Sequence, residues 1–179
     1  MAVNAYLTDV GAVLLNKLLA SRGRLEYVRA ELGDGRIDAD FEQQTALVNK
    51  VCDASMVGVK YNGDTAQITI QYSNAGAASG FYVYEAGVYC KDPDTAEDVL
   101  YCYVSFGSTP DWIGTQSDAG YLREYDIATK VAEGLEITVN ITPGALVSVT
   151  TLNEALDAAD VGFYIDSSGY LCQRIEGDE

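Results

Sequence analysis

The stretch that decides the fold is Val51-Cys52-Asp53-Ala54-Ser55-Met56-Val57-Gly58-Val59-Lys60-Tyr61-Asn62-Gly63-Asp64-Thr65-Ala66-Gln67-Ile68-Thr69-Ile70-Gln71-Tyr72. From Val51 the apolar period is two, the mark of a strand. Asn62-Gly63-Asp64 is hairpin-turn chemistry, because Asn and Gly tolerate the positive φ that tight β-turns require. After it Ala66, Ile68, Ile70 and Tyr72 alternate with Thr65, Gln67, Thr69 and Gln71, giving a strand with one wet face. A β-hairpin is therefore the nucleus around which the other segments must be arranged.

Downstream the same signals continue. Phe81 to Cys90 is apolar on both faces and predicts a central strand. Asp92-Pro93-Asp94 turns the chain, and Val99 to Phe106 returns it with Leu100, Cys102, Val104 and Phe106 on one face. Residues 107–120 are rich in Gly, Ser, Thr and Asp, and predict an exposed excursion that orders on contact. Strands Tyr121–Val131 and Leu135–Ile141 follow, joined by Glu133-Gly134.

Upstream, Thr8 is an N-cap before Val10, Val13, Leu14, Leu15, Leu18 and Leu19, which recur at helical spacing. The spacing predicts a helix over 8–21, with Lys17 and Arg22 favouring its C-terminal dipole and Gly23 as the stop. A strand from Leu25 to Ala30 then ends in the turn Leu32-Gly33-Asp34-Gly35. Residues 36–44 are a polar loop. After Thr142-Pro143-Gly144 the character changes: a short amphipathic helix from Thr151 to about Ala159, then Val161 to Ile165, a turn at Asp166–Gly169, and Tyr170-Leu171-Cys172.

The expected fold is α+β: a mainly antiparallel β-sheet or sandwich, one long N-terminal helix packed on it, and a short C-terminal helix plus β-hairpin. The expected units are residues 1–145 and a small appendage, 146–179, with an acidic tail.

Composition narrows the chemistry. The chain has 179 residues, 11 Lys and Arg, 27 Asp and Glu, no His, and a formal charge of −16. Without His there is neither a Ser-His-Asp nor a Cys-His dyad, no His-containing zinc site and no two-His-one-carboxylate iron triad. Such an acidic surface repels phosphates, so no nucleic acid is expected as a partner. No run reaches the roughly 20 apolar residues of a membrane span. The N-terminus carries no basic region ahead of an apolar run, so cytoplasmic folding is expected. Cys52, Cys90, Cys102 and Cys172 form no C-x-x-C and are expected as buried free thiols.

Several clusters invite a chemical reading. Asp38, Asp40 and Glu42 share one side of an extended segment and offer oxygens to a Ca²⁺ ion, but the EF-hand pattern is missing and a solvated loop is the plainer reading. Asp92, Asp94, Glu97 and Asp98 crowd a turn. A glycosidase needs two carboxylates across a cleft, one of them desolvated, whereas a hairpin tip is solvated. Edge protection accounts for these charges. Gly33-Asp34-Gly35 lacks the lysine and spacing of a phosphate loop. Trp112, with Tyr121 and Tyr125 nearby, is either a sugar-stacking platform or an interface anchor, and anchors are the commoner use of a lone Trp. Tyr82, Tyr84, Tyr89, Tyr101 and Tyr103 predict cross-strand aromatic packing, any outward stripe being a surface for a partner chain. No catalytic residue, cofactor or metal is expected.

Short motifs in a shared order carry a family likeness: Leu7-Thr8-Asp9-Val10-Gly11 with its helix, Tyr27 to Gly35 ending in Gly-Asp-Gly, Thr45-Ala46-Leu47-Val48-Asn49, Tyr84-Glu85-Ala86-Gly87-Val88-Tyr89, the acidic turn and strand of Asp92–Phe106, Val139-Asn140-Ile141, and Thr151–Ala159. Over roughly residues 5–159 the chain resembles phage tail-collar fibre proteins, the baseplate-proximal attachment part of tail fibres. The resemblance implies a structural protein of the virion tail, made and assembled in the bacterial host cytoplasm, that attaches a fibre to the baseplate and is no enzyme. It also implies other tail, baseplate or fibre subunits as partners and a homo-oligomer, a trimer by analogy. Such fibres usually continue into long shafts and a receptor-binding tip, and the expectation here is an attachment module without its own tip. The expected contact residues are Trp112, Tyr121, Tyr125, Phe163, Tyr164 and Tyr170. The competing expectation is a carbohydrate-binding module built on an aromatic platform around Trp112.

Overall fold

The computed structural model describes residues 2–3, 5–75, 77–118, 122–132, 135–142, 163–165 and 171–173, the first and last two of these segments and Asn62 by their backbone. The chain divides into two compact units, residues 1–145 and 146–179.

The first unit is mainly antiparallel β. Its elements are β1 (Ala2–Val3), β2 (Ala5–Leu7), α1 (Asp9–Ser21), β3 (Arg24–Gly33), a 3₁₀ turn (Phe41–Gln43), β4 (Lys50–Asn62), β5 (Thr65–Ser73), β6 (Phe81–Val83), β7 (Glu85–Lys91), β8 (Asp98–Ser105), β9 (Asp111–Ile113), β10 (Leu122–Lys130) and β11 (Glu136–Val139). The main sheet runs β1-β10-β5-β4-β3-β7-β8-β2, with β11 beside β3, and curls into a half-barrel rather than two separate layers. In the second unit β12 (Phe163–Ile165) pairs antiparallel with β13 (Leu171–Gln173). Among the described residues α1 is the one α-helix. The expected C-terminal helix, Thr151 to about Ala159, lies outside them.

The β4–β5 hairpin forms as its sequence dictates, with Gly63 at φ 67° in the turn. Ala66, Ile68 and Ile70 are fully buried. β4 also makes the corner of the sheet. Its first residues, Lys50–Ala54, pair with β3, and Ser55 onward pairs with β5, with a bulge between Met56 and Gly58. The extra residue puts Met56 and Val57 both inside, 0% and 3% exposed, as a bulge that bends a strand does. Where β4 leaves β3, β11 takes its place in parallel, Glu136 to Val139 alongside Arg24 to Tyr27. Thr142 closes the fork: its N–H donates to Met56 O (3.1 Å) and its hydroxyl accepts Met56 N–H (3.0 Å). So β10 and β11, consecutive in sequence, are not a hairpin.

The helix begins at Thr8, whose Oγ1 accepts the Gly11 N–H at 2.9 Å. Thr8 is also fixed to β8: its N–H donates to Tyr101 O (3.0 Å) and its hydroxyl donates to Leu100 O. Gly11 lies against the same carbonyl, and a Cβ there would overlap Tyr101 O. Tyr101 presents that carbonyl because it is a bulge: Val88 pairs with Cys102 but Tyr89 pairs with Leu100. The bulge corrects the expected single face of this strand. Tyr101, Cys102, Val104 and Phe106 join the main core, while Leu100 and Tyr103 face outward into a second small cluster with Leu47 and Tyr89. At the helix end Arg22, not Gly23, takes the left-handed conformation (φ 53°), and Gly23 N–H donates to Leu18 O at 2.8 Å. Lys17 does not serve the dipole. It reaches Asp92 (2.5 Å) and Asp94 (2.7 Å), so the acidic turn between β7 and β8 tethers the helix. That hydrogen bond from Lys17 holds the Asp92 carboxyl below its usual range and raises the Lys17 ammonium.

Candidate docking site

The expected strand over 81–90 is two strands, broken at Tyr84. The second part, β7, is central, between β3 and β8. The first, β6, pairs antiparallel with β9, in the register Phe81–Ile113, Tyr82–Trp112, Val83–Asp111. The supposed excursion of 107–120 therefore contains a strand. Its described part, residues 107–118, is held by hydrogen bonds: Gln116 N–H donates to Ala77 O (2.8 Å), Asn74 Nδ2 to Thr115 O (3.0 Å), and Thr115 N–H to Asp118 Oδ2 (2.6 Å).

Alternation along this ribbon sorts its side chains. Val83 and Ile113 are fully buried, and Phe81 meets Tyr72 edge-on at 6.0 Å. Tyr82 and Trp112 face out, each 48% exposed, with ring centroids 4.7 Å apart and planes tilted by 55°. The indole has a seat: a Cβ at Gly80 would lie 2.5 Å from its Cζ2. Tyr84 continues the row 6.1 Å from Tyr82, and the Arg36 guanidinium lies over the Tyr84 ring at 3.5 Å. Trp112, Tyr82, Tyr84 and Arg36 thus form one aromatic ledge ending in a cation.

A buried carboxylate sets the cationic end. Glu85, fully buried on β7, accepts the N–H groups of Gly35 (3.2 Å), Val48 (2.9 Å) and Asn49 (2.8 Å) and the Tyr103 hydroxyl (2.8 Å). Four donors satisfy a carboxylate that would otherwise be costly to bury. Gly33 and Gly35 are glycines because a Cβ at either would strike Glu85. Three motifs singled out in the sequence, Gly33-Asp34-Gly35, Thr45–Asn49 and Tyr84–Tyr89, therefore meet at one side chain. The phosphate-loop reading fails here, since the Gly35 N–H is engaged by Glu85. The turn that Glu85 holds places Arg36 directly on Tyr84.

The expected contact residues separate. Trp112 is exposed, as a contact residue must be. Tyr125, expected beside it, is a core residue: it is 1% exposed, packs edge-on against Phe106 at 5.3 Å and donates its hydroxyl to Asp111 (2.9 Å). Its place next to Trp112 is taken by Tyr82. Phe163 and Tyr164 lie on β12. Tyr121 and Tyr170 fall outside the described residues. Arg36 was not among the expected contacts, and Tyr82 and Tyr84 entered only as members of the tyrosine set whose outward stripe would face a partner chain. The signal that could have found them is the alternation Phe81-Tyr82-Val83-Tyr84, which puts both tyrosines on one face.

The other clusters are structural in this geometry. Asp40 takes a left-handed conformation at the start of the 3₁₀ turn and accepts Gln43 Nε2 at 3.1 Å. Among the described residues no group of three or more Cys, Asp or Glu could hold a metal ion. Asp98 accepts Arg29 (2.9 Å) and Lys91 (3.0 Å), and Lys50 reaches both Glu31 (2.8 Å) and Asp53 (2.7 Å). Cys90 and Cys102 are buried free thiols and Cys52 is half-buried.

No family model matches the chain, and no curated protein or solved structure matches it either.

Proposed function

We propose that the chain is a structural protein of a phage or prophage tail that attaches a fibre to the baseplate or tail by protein–protein docking, as a homo-oligomer and without enzymatic activity. The tail assignment rests on the ordered motif resemblance. The observation that supports docking is the Trp112–Tyr82 pair: two large aromatics exposed side by side, held by a strand pair and a glycine seat. Aromatics of this kind dominate the binding energy of protein interfaces. The second reading is a carbohydrate-binding module. The same exposed rings favour it, but a sugar stacks on a flat, open ring face, and here the two rings lean on one another at 55°.

The test is incorporation into particles. Tail particles assembled without this chain are mixed with purified wild type or Trp112→Ala, then sedimented and probed. Co-sedimentation of wild type, with at least a tenfold loss in the variant, supports the reading. A strict monomer by light scattering at high concentration, combined with failure to sediment with particles, overturns it. Binding to a glycan array that vanishes in Trp112→Ala transfers the assignment to the carbohydrate reading.

A further inference from the structure

We infer that the ledge Trp112–Tyr82–Tyr84–Arg36 recognises an extended acidic peptide segment of a partner protein, with apolar side chains on the rings and a carboxylate on Arg36. This rests on the docking reading above and names the chemistry of the partner.

The charge pattern carries the inference. The chain has 27 acidic and 11 basic residues, so a cation on it normally finds a carboxylate close by. Lys17, Arg24, Arg29, Lys50, Lys91 and Arg123 each do. Arg36, like Arg22 and Lys130, meets no carboxylate among the described residues; of these three it is the one whose guanidinium stacks on a ring, that of Tyr84. Three acidic residues within two positions of the ledge are engaged elsewhere, Glu85 by its four donors. Asp34 accepts Asn49 Nδ2 at 2.6 Å, and Asp111 accepts the Tyr125 hydroxyl and Arg123 Nε at 3.2 Å. A guanidinium stacked on a ring keeps its edge N–H donors for a carboxylate, which it binds in a fork geometry.

The spacing fits an extended occupant. A strand advances about 3.3 Å per residue, so its alternate side chains fall about 6.6 Å apart on one face. The Tyr82 and Tyr84 rings are 6.1 Å apart and the Tyr82 and Trp112 rings 4.7 Å apart. Two apolar residues at alternate positions would therefore cover the rings, and a carboxylate two positions further would reach Arg36.

Trp112 is the one tryptophan of the chain, so its indole N–H resonance and its fluorescence report on the ledge without labelling. The probes are the synthetic peptide Leu-Thr-Leu-Thr-Asp, capped at both ends, and the same peptide with Asn or Lys in place of Asp. They are titrated into the full chain and into its Arg36→Gln variant, which changes an exposed side chain. The expected result is a saturable indole shift with the Asp peptide. Binding should weaken about two- to fivefold with the Asn peptide or in Arg36→Gln, the range of an exposed ion pair, and more with the Lys peptide. Added salt should erase the difference. Equal binding of the Asp and Lys peptides, or no indole shift with any peptide, overturns the inference. A shift produced by oligosaccharides and not by peptides overturns it in favour of sugar. If Trp112→Ala abolishes particle binding while no peptide binds, docking stands and the acidic partner falls.

Discussion

The Tyr103 hydroxyl on β8 donates to Glu85 Oε2 on β7 at 2.8 Å, and the other carboxylate oxygen takes the N–H groups of Gly35 and Asn49. This carboxylate joins β7, β8 and the two loops that flank Arg36. Glu85→Gln keeps the shape and removes the match. An amide has one acceptor oxygen, so its NH₂ faces either the Gly35 and Asn49 N–H groups or the Val48 N–H beside the Tyr103 hydroxyl, and at least one buried N–H is stranded. The expected cost is about 3 kcal/mol, a charged hydrogen bond plus stranded buried donors. Urea unfolding measures it, and amide exchange should quicken at Gly35, Val48 and Asn49. A variant within 0.5 kcal/mol of wild type, on the order of a neutral surface change, would show that Glu85 is no latch.

Gly11→Ala tests the seat of the helix. Its Cβ would overlap Tyr101 O and lie 3.0 Å from Thr8 Oγ1. Alanine normally favours a helix over glycine by about 1 kcal/mol, so a helix free of β8 would gain stability. Here the overlap must win, and a loss of about 1–3 kcal/mol is expected, the usual range for overpacking. Thermal unfolding of the two proteins decides the sign.

These two sites mark what sequence could and could not show. Local chemistry was legible: Thr8 as a cap, Asn62-Gly63-Asp64 as a hairpin, and the Ala66–Ile70 alternation. Features that depend on a distant partner were not. Arg22 carries the helix end because Gly23 is bound to Leu18. β9 is three residues long, too short for any period to reveal, and exists because β6 is there to pair with it. The Tyr101 bulge shows only against β7. Glu85 did leave a trace, a lone carboxylate in an otherwise apolar strand. Such a residue is tolerated only with partners, but the sequence does not say that Gly35, Val48 and Asn49 supply them. For Trp112, exposure was legible from its polar surroundings, while Tyr121 and Tyr125 were set beside it as neighbours in sequence, and Tyr82, its neighbour across the ribbon, was not.

Alkaline pH should destabilise the fold. Burial pushes the Cys52 and Cys102 thiols up from 9.0 to about 12, and burial together with Glu85 raises Tyr103. In the unfolded chain these groups lose their protons first, so above pH 9 the native state binds more protons and stability falls with pH. The contribution is complete below about pH 9 and is lost progressively up to about pH 12. By pH 10.5 Cys102 alone accounts for roughly 2 kcal/mol. Urea unfolding at pH 8 and pH 10.5 measures the decline, and Cys102→Ala should flatten part of it. Equal stability at the two pH values would contradict the burial of these groups.

The seam of the half-barrel gives the last prediction. The two ends of the main sheet are consecutive in the chain: β1 pairs in parallel with β10, Ala2–Val3 beside Asp126–Ile127, while β2 pairs antiparallel with β8, Ala5–Leu7 beside Val104–Cys102. One short segment therefore covers both edges, and an uncovered edge is a template for association. Removing residues 1–4 should free the β10 edge alone. Each lost backbone bond is worth about 1 kcal/mol, so amide exchange around Asp126–Ala128 should accelerate by roughly fivefold or more. Amides of Cys102–Val104 should keep their protection, because β2 remains and Thr8 still anchors it to Tyr101. The truncated chain should also self-associate more readily, visible by light scattering. Loss of protection on β8 together with β10 would show that the segment closes the sheet as one cooperative unit, and would refute the separate action of β1 and β2.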